Sequence, residues 1–310
     1  MAADGKIRIV LDTDIGDDID DAVALAFVLG SPEFDLLGVT TVYGDAQTRA
    51  RIARKLLEVA GRPDVPVVVG CERPLGFDYH EGTAPERCSQ QAVVADDCQP
   101  MALTASAPQF IAYIVRRYPR QVHIVTIGAM TNLAAALCLD GSLASQIAGV
   151  ASLAGYLPPR NVQPEWNVRY DPIAGQTIAR SGVPWTVVAA DVQGKNGLTP
   201  REFAALKNSN LPVAKLLLEL VVLMCRNKGP GNPGIRTIDD VPGIHVADVF
   251  ALASLLIPEQ MGLQTGYASV ADNGAIDFRA DPAGPHRYAT TRFAENTYRQ
   301  EILRRLLRVR

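Results

Sequence analysis

The chain has 310 residues and a net charge of −3, with 48% apolar and 20% charged residues. This balance is typical of a soluble globular protein with a large core, and it excludes a low-complexity or disordered chain. The sequence contains no apolar stretch near the ~20 residues of a membrane span. It also lacks the basic, aromatic-rich patches typical of nucleic acid binding. We therefore expect neither a membrane nor a nucleic acid as a partner.

The cysteines and the first residues bear on the compartment. There are five cysteines, an odd number without paired metal-binding spacing: Cys71, Cys88, Cys98, Cys138 and Cys225. The N-terminal residues lack the basic-then-apolar design of a signal peptide. Both features favour a reducing environment, and we expect a cytoplasmic protein.

Strand and helix signals alternate along the chain. A buried strand at residues 7–11 precedes an apolar helix at 22–29, and a strand at 36–42 precedes a helix at 46–60. Further strands are predicted at 65–69, 123–127, 150–154 and 185–190. Further helices are predicted at 106–118, at 131–139, from Asp171-Pro172 onwards, after Asp248, and around 302–307. This rhythm predicts a single α/β domain over residues 1–310, with a central, mostly parallel sheet flanked by helices and ligands at the carboxyl ends of its strands.

The first strand-to-helix turn carries an unusual concentration of acid. Six aspartates fall within ten residues: Asp12, Asp14, Asp17, Asp18, Asp20 and Asp21. So many like charges in one crevice repel strongly unless protons or a cation neutralise them. Oxygen ligands of this kind suit a hard divalent ion, Ca²⁺ or Mg²⁺. The turn therefore predicts a metal site.

Three alternative explanations exist for this turn. Helix capping explains one or two acidic residues at a helix start, but not six. A calcium loop of the EF-hand type needs a Glu at its twelfth position, where this chain has Val23. A Mg²⁺-dependent phosphohydrolase with Asp12 as nucleophile remains an alternative.

Polar groups follow other strands in the same way. Glu165-Trp166-Asn167 follows one strand, and Asp248, three residues after His245, opens an apolar helix. Asp45 and Thr126 end two further strands. Because the carboxyl ends of parallel strands share one edge of a sheet, we expect these groups to converge on the acidic turn.

Two long segments interrupt the alternation of strands and helices. Residues 71–99 and 227–246 are polar and rich in Gly and Pro. Loops of this length in a compact domain are usually functional. We expect both to be active-site loops that overhang the acidic crevice.

Across essentially its whole length, the sequence resembles the nucleoside hydrolase family, the calcium-dependent N-glycosidases sometimes called inosine-uridine preferring hydrolases. The resemblance rests on an ordered series of motifs: Asp-Thr-Asp-x-Gly from Asp12, Asp-Asp-Ala from Asp20, Thr-Thr-Val-x-Gly before Asp45, Gly-x-x-Thr-Asn-Leu from Gly128, Glu-Trp-Asn from Glu165 with a later Asp-Pro, and Asp248 before an Ala-rich helix.

The resemblance implies roles for individual residues. Asp14 would bind Ca²⁺ and accept a proton from the attacking water, and Asp12 would support the site from behind. The other metal ligands would be Asp21, the backbone carbonyl of Thr126 and Asp248. Ribose would be positioned by Asp20, Asp45, Glu165 and Asn167. The family also implies a homodimer or homotetramer.

Several positions differ from the family pattern. Asp17-Asp18-Ile19 replace a single residue, so Asp17 or Asp18 could take a metal-ligand role instead of Asp20 or Asp21. Ala247 stands where the family places His or Trp, which leaves the acid that protonates the leaving base unidentified.

Four nearby side chains are candidates for further roles. We take His245 as a candidate proton donor to the leaving base. His80 and Asn161 are candidate substrate contacts, Asn161 toward the 5′ hydroxyl. We expect Trp166 to pack beneath the site.

Taken together, the sequence predicts Ca²⁺-dependent hydrolysis of ribonucleosides to free base and ribose. The alternatives are the phosphohydrolase named above and a nucleoside- or ribose-binding protein that has lost turnover. Base preference stays open, since Asp45 and Trp166 favour purines while Ala247 removes the residue that sorts the branches.

Overall fold

A computed structural model describes residues 5–76, 88–94, 105–227, 237–289, 293 and 298–309. It contains one nine-stranded sheet with helices on both faces. The strands are β1 Ile7–Thr13, β2 Phe34–Thr41, β3 Val67–Val68, β4 Val122–Thr126, β5 Gly149–Leu153, β6 Trp185–Val188, β7 Leu263–Val270, β8 Ile276–Ala280 and β9 His286–Ala289.

Ten α-helices surround this sheet among the described residues. They are α1 Asp20–Leu29, α2 Ala46–Val59, α3 Ala107–Arg117, α4 Thr131–Leu139, α5 Trp166–Tyr170, α6 Pro172–Arg180, α7 Pro200–Lys207, α8 Pro212–Asn227, α9 Val249–Leu256 and α10 Arg299–Leu306. None of the described helices is long and apolar enough to cross a membrane.

The strand order places a crevice in the middle of the sheet. The order is β3-β2-β1-β4-β5-β6-β9-β7-β8, and the strands from β3 to β9 run parallel. The chain winds outwards in one direction from β1 to β3 and in the other from β4 onwards. In such sheets the connections leave the strand ends in opposite directions at the reversal point, which opens a ligand-binding crevice there. Here that point lies between β1 and β4.

Apolar burial explains why these segments form a central sheet. Residues 9–11 of β1 are fully shielded from solvent, as are most residues of β4 and β6. Strands covered on both faces read as continuous apolar runs, because no side of them meets water. Helices α1 and α9 contact each other on one face of the sheet, and α3 and α4 contact each other elsewhere along it.

The predicted single α/β domain with a mostly parallel sheet is confirmed, and two details differ. The sheet ends in an antiparallel part in which β7 pairs with both β8 and β9. This part alternates exposed and buried residues, so its strands do not appear in the sequence as continuous apolar runs. Strand β3 has only two residues, because just Val67 and Val68 pair with β2.

Helix α1, which carries Asp20 and Asp21, is anchored at its other end by close packing. At Gly30, directly after α1, an added Cβ atom would lie 2.1 Å from the backbone oxygen of Arg305 in α10. We expect Gly30→Ala to lower the free energy of unfolding by about 2 kcal/mol, because the backbones must separate. Chemical denaturation measures this change.

Gly141→Ala is the matched control, since Gly141 is exposed and a Cβ there meets nothing within 4 Å. We expect a change within roughly 0.5 kcal/mol. Equal effects of the two substitutions would contradict the proposed close contact between α1 and α10.

Candidate active site

A cavity of about 470 Å³ opens at the crevice between the carboxyl ends of β1 and β4. We refer to it as the acidic cavity, because carboxylates dominate its lining. Its lining residues are Asp14, Asp17, Asp18, Asp20, Asp21, Tyr43, Ile127, Leu153, Glu165, Trp166, Asn167 and Asp248. The structure therefore brings together most of the polar groups that the sequence placed at strand ends.

The acidic turn is shaped by a glycine and a threonine. Strand β1 ends at Thr13, and Gly16 takes a φ of 130°, which a residue with a side chain rarely adopts. The hydroxyl of Thr13 donates to Oδ1 of Asp21 at 2.5 Å and accepts from the backbone N–H of Ile15 at 3.0 Å. These bonds tie the end of β1 to the start of α1 and orient the Asp21 carboxylate.

A buried cation lies behind this turn. Arg49 of α2 is fully shielded from solvent and donates from Nε to the carbonyl of Tyr43 at 2.7 Å. It also donates from Nη1 to the carbonyls of Asp14 and Ile15, and from Nη2 to Oδ2 of Asp17 at 2.7 Å. Arg49 thus holds the backbone of the turn and neutralises one of its carboxylates.

Arg49 is a site residue that the sequence reading missed. A detectable signal existed, because this arginine occupies the otherwise apolar buried face of α2 together with Ala46, Ala50 and Ala53. A charged residue on such a face requires buried partners, which here belong to the acidic turn.

The opposite wall comes from α5 and α9. Both carboxylate oxygens of Glu165 accept from the backbone N–H of Asn167 at 3.1 Å. The side-chain nitrogen of Asn167 donates to the carbonyls of Ile127 and Leu153, at 3.0 and 3.1 Å. These two bonds leave the side-chain oxygen of Asn167 as its acceptor toward a ligand. Asp248 enters the cavity from the start of α9.

Burial raises the pKa of every principal carboxyl group here, and neighbouring negative charges add to the effect. The pKa rises to about 6 for Asp14, about 7 for Asp20 and about 8 for Glu165, and well above the usual range for Asp21 and Asp248. For Asp14 the charge of Arg49 opposes the rise. The site therefore favours whatever supplies positive charge.

The carboxylates fit a divalent cation. One oxygen each from Asp20, Asp21 and Asp248 lie within 4.8 Å of one another. An ion with Ca–O distances of roughly 2.4 Å can contact atoms at this spacing, and all donors are the hard oxygens that Ca²⁺ prefers. Asp17 is already engaged by Arg49 and by the backbone N–H of Ser89, at 2.9 Å. This favours Asp20 and Asp21 over Asp17 as metal-site residues.

Asp12 lies behind the cavity, and this argues against its role as a phosphohydrolase nucleophile. Its side chain is fully buried and does not line the cavity. Its Oδ1 accepts from Oγ1 of Thr40 at 2.6 Å and from Nδ2 of Asn132 at 2.7 Å. Burial raises the pKa of Asp12 to about 7. A nucleophile must reach its substrate, whereas Asp12 braces strands β1 and β2.

Thr126, whose backbone carbonyl is the predicted metal ligand, lies one residue before the lining of the acidic cavity. It is the last residue of β4, and its hydroxyl is buried and donates to Oγ of Ser152 at 2.6 Å. The residue that lines the acidic cavity is Ile127. The position at which β4 ends determines which residue reaches the crevice. The spacing of the sequence motif alone does not predict this position.

Trp166 also differs from expectation. It does not pack beneath the site, because it is 50% exposed and lines the cavity. Its ring meets Tyr43 edge-on, with centroids 6.0 Å apart. The reason is local: Trp166 starts α5, whose buried face is formed by Asn167, Val168 and Tyr170.

Three described candidates lie outside the lining of the acidic cavity. Asp45 instead caps α2 by accepting from the backbone N–H of Thr48 at 2.9 Å. Asn161 lies in a short 3₁₀ turn over residues 160–162. His245 is exposed and lines a different cavity, and its role as proton donor stays a prediction. His80 lies outside the described residues.

Parts of the two expected active-site loops are described. Near the start of the first loop, the N–H groups of Tyr43 and Gly44 donate to the carbonyls of Cys71 and Glu72. Residues 88–94 pack on the acidic turn, where the N–H of Gln90 donates to the carbonyl of Gly16 at 2.9 Å. In the second loop, residues 237–246 include a 3₁₀ turn at Ile238–Asp240. Whether these loops cover a substrate stays a prediction.

Comparison with known proteins agrees with the sequence motifs. A family model for inosine-uridine preferring nucleoside hydrolase matches residues 9–298. Uridine nucleosidase 1 of Arabidopsis thaliana is 30% identical over 274 residues, covering 86% of this chain and 79% of that protein. Pyrimidine-specific ribonucleoside hydrolase RihA of Klebsiella pneumoniae is 29% identical over 228 residues, covering 69% of this chain and 70% of that protein. The resemblance predicted from sequence is confirmed.

Solved structures share the fold over nearly the whole chain. The plant nucleoside hydrolase PpNRh1 has a TM-score of 0.79 at 26% identity, covering 97% of this chain and 98% of its own. The purine-preferring ribonucleoside hydrolase from Gardnerella vaginalis has a TM-score of 0.80 at 24% identity, with the same coverage. Because the identity to the Gardnerella vaginalis enzyme is only 24%, this second similarity shows a shared fold and nothing more.

The raised pKa values predict how stability depends on pH in the metal-free protein. Folding raises the pKa of Asp14 from 3.8 to about 6 and that of Asp20 from 3.8 to about 7. The folded state then binds protons that the unfolded chain releases, so stability is greatest below the unfolded pKa and is lost as pH rises through the folded values. We expect the Tm of chelator-treated protein to fall between about pH 5 and about pH 8. Thermal unfolding at both pH values measures this.

A divalent cation should reverse that loss. We expect Ca²⁺ to raise the Tm more at the higher pH, where the carboxylates are charged. Asp248→Asn is the informative variant, because it removes one repelling charge from the metal-free site and one ligand from the loaded site. We expect it to have a higher metal-free Tm at high pH and a smaller gain with Ca²⁺. An identical rise in Tm on adding Ca²⁺ at both pH values would contradict the proposed link between carboxylate ionisation and metal binding.

Proposed function

The chain belongs to the family of inosine-uridine preferring nucleoside hydrolases, and we propose that it acts with a bound Ca²⁺ ion and prefers pyrimidine ribonucleosides. As a member of this family, it hydrolyses the N-glycosidic bond of ribonucleosides to free base and ribose. The observation that carries the proposal is the acidic cavity, where Asp14, Asp20, Asp21 and Asp248 face Glu165 and Asn167.

We assign the metal ligands from position and burial. Asp21 and Asp248 are buried and lie within reach of one shared ion, and Asp14 lies beside them in the cavity. The backbone carbonyl of Ile127 is a further ligand in our proposal, in place of that of Thr126. When bound, the cation neutralises these carboxylates, polarises a water molecule and orients the sugar hydroxyls.

Asp14 is the proposed general base. In the metal-free protein its pKa is about 6, so most of the group is deprotonated near neutral pH, and a bound cation would lower this pKa further. Arg49 holds the backbone carbonyl of Asp14, which fixes the carboxylate relative to the end of β1. The attacking water would transfer its proton to Asp14 as it adds to the anomeric carbon of the sugar.

Asp20, Glu165 and Asn167 are the proposed ribose contacts. Asp20 is more exposed to the open cavity than Asp21, which favours a substrate role for it over a purely metal-binding one. The developing positive charge on the sugar ring is stabilised by the surrounding carboxylates. Since Asp45 caps α2 and Asn161 lies outside the lining, we do not assign ribose contacts to either.

Trp166 and Tyr43 form the aromatic side of the cavity and are the proposed surface for the base. Flat aromatic side chains offer apolar area to a flat ring. The preference for pyrimidines is supported by the relatives, which are named as uridine nucleosidases and pyrimidine-specific hydrolases. In the sequence, Asp45 indicated a preference for purines. Because Asp45 caps α2, its position does not indicate which base is bound.

We also infer a cytoplasmic homodimer or homotetramer. The compartment is supported by the free state of four cysteines, Cys71, Cys88, Cys138 and Cys225. The assembly is supported by the family resemblance.

Reducing-sugar release from purine and pyrimidine ribonucleosides, with Ca²⁺ and with chelator, tests the function directly. We expect Ca²⁺-dependent release, fastest from uridine or cytidine. Chelator-insensitive release would overturn the calcium dependence, and faster release from inosine or guanosine would overturn the base preference. Binding of ribose without any release would favour a non-catalytic binding protein.

The role of Asp14 has its own test. We expect Asp14→Asn to lower kcat by at least about a hundredfold, because it removes the general base. Asp64→Asn is the control, since Asp64 is exposed and lies outside the lining of the acidic cavity. We expect that variant to keep kcat within about threefold, on the scale of one lost peripheral charge. An unchanged kcat in Asp14→Asn, or an equal loss in Asp64→Asn, would contradict the assignment of Asp14 as the general base.

A further inference from the structure

Two walls of the acidic cavity come from loops that follow neighbouring strands. Asp14 lies one residue after the end of β1, and Tyr43 lies two residues after the end of β2. In the proposed reaction Asp14 accepts the proton of the attacking water, while Tyr43 lies at the surface for the base. Because neither residue belongs to a strand, the pairing of β1 with β2 does not by itself fix the distance between them.

Arg49 connects these two loops from outside the cavity. It lies near the start of α2, is fully shielded from solvent and does not line the acidic cavity. Its Nε donates to the carbonyl of Tyr43 at 2.7 Å, and its Nη1 donates to the carbonyls of Asp14 and Ile15. The guanidinium is a planar fork with fixed angles between its donors. Bonds from two of its nitrogens therefore hold one loop at a set position relative to the other.

The backbone of Tyr43 requires such support. Its φ of 74° lies in the left-handed region, which a bulky residue rarely adopts and which persists only where the surroundings hold it. Its N–H donates to the carbonyl of Cys71 at 2.8 Å, and Arg49 binds its carbonyl. The guanidinium carbon of Arg49 also lies 5.1 Å from the centroid of the Tyr43 ring, within the range of a cation–π contact. Arg49 therefore contacts both the backbone and the ring of this residue.

An alternative is that Arg49 acts only through its charge. Its Nη2 donates to Oδ2 of Asp17 at 2.7 Å, and its charge opposes the rise that burial causes in the pKa of Asp14. Three of the four acceptors named here are nevertheless backbone carbonyls, which carry no net charge. A lysine at this position would keep the positive charge but would offer it from a single nitrogen, without the fork. A substitution by lysine therefore separates the two roles.

We propose that Arg49 is a positioning residue that sets the distance between Asp14 and Tyr43, and thereby aligns the water-activating carboxylate with the surface for the leaving base. This inference rests on the proposed function. The attacking water must lie on the opposite side of the sugar ring from the base, so a shift of either loop moves the two out of line. A misplacement of about 1 Å lowers a rate by up to about a hundredfold. Because purine and pyrimidine bases differ in size, we expect the same shift to change the discrimination between them.

The test uses Arg49→Lys and Arg49→Met, and Arg305→Lys is the matched control. Arg305 is also buried, its guanidinium carbon lies 5.1 Å from the centroid of the Phe27 ring, and it pairs with Glu33 and Glu301. It does not line the acidic cavity. For each protein, kcat and KM are measured with uridine and with inosine at saturating Ca²⁺, together with the Tm.

We expect both Arg49 variants to lower kcat for uridine at least about tenfold, with a smaller change in KM. We also expect the ratio of kcat/KM for uridine to that for inosine to change at least about threefold, because the surface for the base moves. Arg305→Lys should lower the Tm, because its ion pairs are weakened, and should leave kcat and the ratio within about twofold.

An unchanged kcat in Arg49→Lys would show that the bonds to the carbonyls are not required, and would overturn the proposal whatever the effect of Arg49→Met. A loss of kcat with an unchanged ratio would confine the effect to Asp14 and overturn the coupling to Tyr43. An equal loss in Arg305→Lys would make it a general effect of stability. If Arg49→Met does not fold, Arg49→Lys decides alone. Failure of both to fold would make Arg49 a purely structural residue and overturn the proposal.

Calcium binding separates this proposal from the proposed function. If the unsubstituted protein releases no ribose, the proposed function fails, and calorimetric titration with Ca²⁺ decides about Arg49. Because Asp14 is a proposed metal ligand, we expect Arg49→Lys to weaken Ca²⁺ binding about tenfold and Arg305→Lys to leave it unchanged. An unchanged affinity in Arg49→Lys, or no binding of Ca²⁺ by the unsubstituted protein, would overturn the proposal.

Discussion

Mutual repulsion among buried carboxylates is the constraint on which the rest of this site depends. Asp14, Asp20, Asp21 and Asp248 share one cavity, and burial makes each unit of negative charge more costly than it would be in water. A fold can hold such a cluster if protons or cations neutralise it and if the backbone beneath it cannot spread apart. Thr13 and Arg49 supply the second condition, because both bind the turn itself. Arg49 also contributes to the neutralisation, because its guanidinium pairs with the carboxylate of Asp17.

The position of the cluster follows from the order of the strands. The chain reverses its winding between β1 and β4, so the ends of these two strands border an open crevice. Asp12 and Asn132 lie behind that crevice and bond to each other and to β2. Asp14, Asp20, Asp21 and Asp248 line the cavity in front of them, where Thr13 orients the carboxylate of Asp21. One run of aspartates is thus divided into structural and functional members by where each lies relative to the strand end.

This division explains what could and could not be predicted from the sequence. The alternation of apolar strands and helices predicts the parallel sheet, and the motifs at strand ends predict that Asp14, Asp21, Glu165 and Asp248 converge. It is harder to predict which residue at a strand end reaches the cavity. A single residue separates Thr126, whose hydroxyl is buried against Ser152, from Ile127, which lines the cavity. The direction of a side chain is harder still. Trp166 faces the cavity because its neighbours form the buried side of a five-residue helix. A helix this short has too few residues for an apolar periodicity to show which side is buried.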